Sequence, residues 1–245
     1  MAGRFTLTKI FQTSPRLVFS IEDKVYKFFN CNHDCSSEVK SIRSSLLQSN
    51  FDAVSGYTMK IVEIIQSFDN YYIMKVAKGA QLSTLQSKKY CNLAGCWLRV
   101  FHKSSYNTQS KSIFIFGDFS ITHLYIDDKY KEITAIDPGA GFGKVGEIED
   151  DISRFLVSLM QTKNFNIIKL NKNVTGFLGG YGVDKIKYSN LDKSIKFRIS
   201  RNYEKRITLD TGLKRFFSAY FWLANSTIKY YFINKNLKKE IKNEY

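Results

Sequence analysis

The chain of 245 residues has two prolines and no Gly/Ser-rich stretch, so no flexible linker divides it into separate domains. It lacks an apolar run of about 18 residues, the length a bilayer-spanning helix needs. Its N-terminus has no continuous apolar segment of the signal-peptide kind, so no secretory signal is expected. Four cysteines, at 31, 35, 91 and 96, are too few for a disulfide scaffold and point to a reducing cytoplasm. Cys31-Asn32-His33-Asp34-Cys35 has metal-ligand residue types, but no second ligand pair accompanies it, and a turn is the expectation. Acidic residues are scarce, 22 against 37 Lys and Arg, for a net charge of +15. The deficit is local: residues 161–245 carry 18 basic and 6 acidic residues (+12), whereas residues 1–160 carry 19 and 16 (+3). A basic surface favours phosphate, acidic glycan, nucleic acid or anionic lipid. Compositional drift in a chain rich in Lys, Asn, Ile and Tyr would give the same numbers. No recognised nucleic-acid motif accompanies the charge, so specific nucleic-acid binding is not expected.

What is present is enough apolar matter, 44% of residues, for one large domain or two small lobes. Residues 5–12, 17–21 and 25–29 read as three strands, β-branched and aromatic between turn formers such as Thr13-Ser14-Pro15-Arg16. A helix is predicted from about Ser37, capped by Ser36 or Ser37, with Val39, Ile42 and Leu46 as its apolar stripe. Residues 57–65 and 70–76 read as two more strands. Residues 82–102 read as a helix with Leu93, Trp97, Val100 and Phe101 on its apolar side. Strands at 112–116 and 133–136 follow, then a helix over 147–160 burying Ile148, Ile152, Phe155, Leu156 and Leu159. The remainder is expected to be mostly helical.

Between the strands at 112–116 and 133–136 lies the informative stretch. Phe116-Gly117-Asp118 ends one apolar β-type run, and Ile136-Asp137-Pro138-Gly139 ends another. A lone carboxylate in that setting is costly unless something binds it. Phe116-Gly117-Asp118, four residues, His123, and then Asp137-Pro138-Gly139 resembles the His-Gly-Asp, four residues, Asn, and Asp-x-Gly pattern of the aminoglycoside phosphotransferase family, within the protein-kinase-like fold. Val100-Phe101-His102 resembles that family's helix ending in His before the catalytic loop. Glu149-Asp150-Asp151-Ile152 resembles its acidic helix start, where the carboxylates brace the loop. The resemblance covers roughly residues 20–160.

The resemblance implies an α+β, bilobal fold: residues 1–76 an N-lobe of antiparallel sheet with one helix, residues 77–245 a mainly helical C-lobe. It implies ATP and Mg2+. Lys27, in Val25-Tyr26-Lys27-Phe28-Phe29, would hold the α- and β-phosphates, and Glu38 would orient Lys27. Lys75 and Val76 would form the hinge beside the nucleotide. Asp118 would accept or orient the acceptor hydroxyl, and Asp137 would carry magnesium. His123 stands where the family has asparagine, so it binds the metal, contacts phosphate, leaves that site weaker, or simply packs before a strand; magnesium prefers oxygen. Phe116 replaces the usual histidine, and no Gly-rich loop lies between the first two strands. Those departures keep a catalytically degenerate binding or scaffold protein as the alternative.

The basic C-terminal third disfavours a cationic acceptor and fits a carbohydrate, glycolipid or other neutral or anionic small molecule. In the tail, Phe216, Phe217, Tyr220, Phe221, Leu223, Tyr230 and Phe232 alternate with Lys229, Lys235, Lys238, Lys239 and Lys242. This reads either as a core helix with a solvated end or as a peripheral contact with an anionic membrane at its inner face.

Overall fold

The computed structural model describes residues 7–13, 16–30, 35–40, 42–43, 56–106, 112–138, 144–162, 166–208 and 213–242. The sequence features at residues 31–34, Leu46 and Gly139 lie outside them.

The chain opens with an antiparallel meander of β1 (Leu7–Thr13), β2 (Arg16–Ile21) and β3 (Lys24–Phe28). With β5 (Ile64–Ser67) and β6 (Tyr71–Lys75) they form a five-stranded sheet in the order β1-β2-β3-β6-β5. Alternation along β3 sends Tyr26 and Phe28 to one face and Lys27 to the other. The first face is an aromatic ladder, with Phe19 stacked on Tyr26 at 5.1 Å and Phe28 on Tyr71 at 4.7 Å. Helical residues 35–40 and 42–43 (α1) contribute Val39 and Ile42 to the core that holds Phe29 and Tyr72. Residue 35 is already helical, so Ser36 and Ser37 lie inside the helix rather than capping it.

The strand expected over 57–65 is two strands in two sheets. β4 (Thr58–Ile61) runs parallel to β10 (Glu132–Ala135), while β5 stays with β6. The cause is local. Val62 N–H donates to Ala135 O at 2.9 Å, and the carbonyl of the next residue, Glu63, accepts from Lys75 N at 3.0 Å. Consecutive backbone groups are committed to different sheets. β4 joins β10, β9 (Leu124–Asp127) and β7 (Ala80–Gln81) in the order β4-β10-β9-β7, and β8 (Ile113–Phe114) pairs with β11 (Val145–Gly146).

The helix expected over 82–102 is a turn, α2 (Leu82–Leu85), and then α3 (Lys88–Ser104). Ser87 separates them, its hydroxyl accepting from Tyr90 N as an N-cap. α4 (Ile148–Met160), α5 (Ile167–Tyr181), α6 (Tyr188–Thr208) and α7 (Leu213–Lys242) make the C-terminal part mainly helical. α3 and α5 touch backbone to backbone: a Cβ on Gly95 would fall 2.1 Å from Phe177 O, and one on Gly180 would fall 2.0 Å from Asn92 O. Between them and α4 lie Trp97, Phe101, Phe116, Phe119, Phe155 and Phe177, all buried.

The aromatic–lysine tail divides. Phe216, Phe217, Tyr220, Phe221 and Phe232 are exposed, whereas Tyr230 is buried and Leu223 is packed on the core. Lys229 is no surface flank. It is 1% exposed and donates to Met160 O at 2.9 Å and Thr162 O at 2.8 Å, placing its ammonium on the C-terminal carbonyls of α4. Among the described residues no helix is long and apolar enough to cross a membrane.

Candidate active site

The loop from β8 to β9 carries Asp118, and three anchors hold it. Gly117 adopts φ +85, a left-handed conformation that favours glycine, and so turns the chain into Asp118. Asp151, at the start of α4, accepts from Phe116 N at 2.6 Å and from Gly117 N at 2.8 Å. Its Oδ2 also accepts from His102 Nε2 at 3.0 Å, while His102 Nδ1 faces Tyr181 OH at 2.9 Å. A carboxylate only accepts, so a proton sits on Nε2, and with the ring neutral Tyr181 donates to Nδ1. Burial among these groups pushes the Tyr181 phenol up, which keeps it a donor. Phe116 anchors the loop by packing: it is fully buried and meets Trp97 and Phe119 edge to face at 5.5 and 5.7 Å.

Asp118 is about a third exposed, and its Oδ1 accepts from Arg154 Nη1 of α4 at 2.6 Å. His123 follows within the same loop. Its Nδ1 is 2.8 Å from the Asp118 carbonyl oxygen, which accepts only, so Nδ1 carries the proton. Nε2 faces Asp137, whose Oδ2 is 3.7 Å away. The β9–β10 hairpin joins the two residues, and Ile136 N donates to His123 O at 2.8 Å to close it. Asp137 has φ +50, a sparsely populated backbone conformation for a residue other than glycine.

Across from this hairpin, Lys27 is 2% exposed, and its ammonium forms ion pairs with Glu38 Oε1 at 2.7 Å and with Asp137 Oδ1. Tyr72, opposite Lys27 on β6, donates to the same Glu38 oxygen at 2.7 Å. Five residues named from the sequence thus converge: Lys27, Glu38, Asp137, His123 and Asp118. Lys75 and Val76 do not join them. Lys75 pairs at the surface with Glu63 at 2.6 Å, and Val76 N is spent on Asp23 O at 2.9 Å. That N–H is unavailable to a nucleotide base in this arrangement.

Two side-chain donors, one nitrogen and one oxygen, lie close enough together to be weighed as a partial cation site. His123 Nε2 and Asp137 Oδ2 are 3.7 Å apart, so one ion could touch both, but among the described residues no group of three His, Cys, Asp or Glu, this one included, could hold a metal by itself. Magnesium held by one or two side chains is ordinarily completed by substrate phosphates and water.

Sequence reasoning missed Arg154, Tyr72 and the cleft beside Asp118. This cleft has a volume of about 1340 Å³ and runs between the loop, α4 and α6. Arg198 of α6 is committed within it, donating from Nε to Ser153 Oγ and from Nη2 to Asp150 O, both at 2.7 Å. Burial, aided by the neighbouring Arg154 charge, pulls its guanidinium down to about 10.

No family model matches the sequence, and no curated protein matches it either. Solved structures do match. The amicoumacin kinase hAmiN, in complex with AMP-PNP, Ca2+ and Ami, superposes with a TM-score of 0.63 at 12% identity, over 90% of this chain and 88% of that one. Aminoglycoside phosphotransferase APH(3'')-Id from Streptomyces rimosus superposes at 0.57 and 9%, over 78% and 91%. The GDP complex of wild-type aminoglycoside 2'-phosphotransferase-IIIa superposes at 0.55 and 11%, over 99% and 95%. With its antiparallel N-terminal sheet, helical C-terminal part and these neighbours, the chain has the protein-kinase-like fold in the form found in aminoglycoside phosphotransferases.

Proposed function

We propose that the chain is an ATP-dependent phosphotransferase acting on a hydroxyl of a carbohydrate, glycolipid or other small-molecule acceptor. The observation that carries this reading is the buried Lys27 held between Glu38 and Asp137, with Asp118 and His123 on the adjoining loop. Phosphoryl transfer asks the protein for positioning and charge rather than covalent chemistry. Lys27 supplies a fixed cation for phosphate oxygens, and Glu38 and Tyr72 keep its stem from collapsing elsewhere. Asp137 and His123 Nε2 would hold Mg2+, which supplies charge neutralisation at the phosphates when bound. Asp118, fixed by Arg154, receives the acceptor hydroxyl. The acceptor oxygen bonds to the γ-phosphorus, the bond from that phosphorus to the bridging oxygen breaks, the proton passes to Asp118, and ADP leaves.

The division of labour places residues 1–76 on the nucleotide and residues 77–245 on metal and acceptor. Cys35, Cys91 and Cys96 are buried free thiols, which suits a cytoplasmic protein. Burial pushes the Cys91 thiol up to about 12, which makes it inert.

Thermal-shift titration with Mg2+ and either ATP or GTP tests the reading. The expected result is a nucleotide-dependent rise in Tm that Asp137→Asn strongly reduces. A folded protein that shifts with neither nucleotide would move the assignment to the alternative, a degenerate kinase-like scaffold.

A further inference from the structure

The cleft beside Asp118 is walled by cations that the chemistry above does not use. α6 places Arg198, Arg201 and Lys205 at intervals of three and four residues, hence on one face, and that face lines the cleft with Asn202 and Arg206. Across from it stands Arg154 of α4. Arg198 is committed to Ser153 and Asp150, and Arg206 lies over the Trp222 ring at 4.9 Å. Arg201 and Lys205 are exposed and make no ion pair among the described residues. Arg154 uses Nη1 on Asp118, yet its Nε is a buried donor with no acceptor.

Among the described residues the carboxylates lining the cleft are Asp118 and Asp150, and each already faces an arginine. Burial first, and the neighbouring Arg154 charge second, depress the basicity of Arg198, so positive charge is held close together on this wall. An anion seated here would relieve that crowding and satisfy open donors. Guanidinium forks match the paired oxygens of a phosphate, and Arg201 and Lys205 stand about 6 Å apart along the helix axis.

We propose that this wall seats a phosphate group already carried by the acceptor, so that the enzyme phosphorylates a hydroxyl of a previously phosphorylated sugar or glycan. The proposal rests on the phosphotransferase reading for the meaning of Asp118, though the anion site can be tested without it. Arg154 then spans both halves: Nη1 fixes Asp118, and the exposed end of its guanidinium faces the acceptor phosphate. The spacing between that phosphate and the reacting hydroxyl becomes the specificity rule.

Inorganic phosphate titrated calorimetrically into the full chain, at fixed ionic strength, is the first measurement. Saturable millimolar binding is expected, weakened at least tenfold by the double substitution Arg201→Ala and Lys205→Ala. It should be unchanged by Lys238→Ala with Lys239→Ala, exposed lysines at the far end of α7. It should also persist in Asp137→Asn, so loss of nucleotide binding there leaves the anion site standing. No saturable binding, or equal binding by the Arg201/Lys205 variant, overturns the proposal. So does preferential binding of an aminoglycoside cation in this cleft.

Glucose 6-phosphate and phosphatidylcholine vesicles containing phosphatidic acid then separate a soluble acceptor from a surface-borne one. Binding of either that the double variant loses supports the proposal, and binding of neither overturns it.

Discussion

The Lys27 corner and the α6 wall both gather positive charge near Asp118, and they do so in opposite states. Lys27 is sealed, with Glu38 and Asp137 on its ammonium and the rings of Phe29 and Tyr72 within 5.5 and 5.9 Å. Arg201 and Lys205 stand in solvent with no counter-ion among the described residues. A buried cation is tolerated only with its partners, so it is part of what keeps the fold intact. An exposed unpaired cation adds little to folding and is free for a ligand. The two regions should therefore respond differently to the same operation, removal of one charge.

The largest effect is expected between them. Asp118→Asn should lower turnover of an identified acceptor about 10²- to 10⁴-fold while leaving the nucleotide-induced Tm shift intact. Full turnover in that variant would show that another group handles the hydroxyl.

Lys27→Met comes next. It strands Glu38 and Asp137 without their cation, and loss of one partner of a buried pair costs about 3–5 kcal/mol. Asp137 is partly exposed, so the lower end is expected, read from urea unfolding. Lys229→Met should cost about 1–3 kcal/mol, because Met160 O and Thr162 O lose their donor. Should Lys229→Met leave the urea midpoint unmoved, its ammonium is not capping α4 in solution.

Arg201→Ala and Lys205→Ala should each stay within about 0.5 kcal/mol of the parent. If they destabilise as much as Lys27→Met, the wall is structural and the contrast collapses.

The Lys27 corner was legible in the chain and the wall was not, for physical reasons. Asp118, His123 and Asp137 stand at fixed spacings after apolar runs, where an unpaired carboxylate is conspicuous. Lys27 is flanked by Tyr26 and Phe28, which marks it in the same way. Arg154 gives a weaker signal. It shares a helix face with Val157, Ser158 and Gln161, and nothing in that pattern names Asp118 as its partner. The α6 stripe was visible only as net charge, because a basic face on a polar helix reads first as solvated surface. Lys229 resembled its neighbours Lys235 and Lys238 in sequence, and only packing against α4 distinguishes it. The break at Val62-Glu63 escaped because two short strands in different sheets have the same apolar signature as one longer strand.

The parallel pairing of β4 with β10 has a consequence for the order of assembly. β1, β2 and β3 pair with their sequence neighbours and can zip locally, whereas Thr58 must find Glu132 far along the chain. Closing so long a loop is entropically slow compared with forming a hairpin. The strand that delivers Asp137 is thus expected to lock late, after the sheet that holds Lys27. During refolding, amide protection in β1–β3 should precede protection in β4 and β10, and competence to bind nucleotide should appear only with the second event. Simultaneous protection of both sheets would contradict that order.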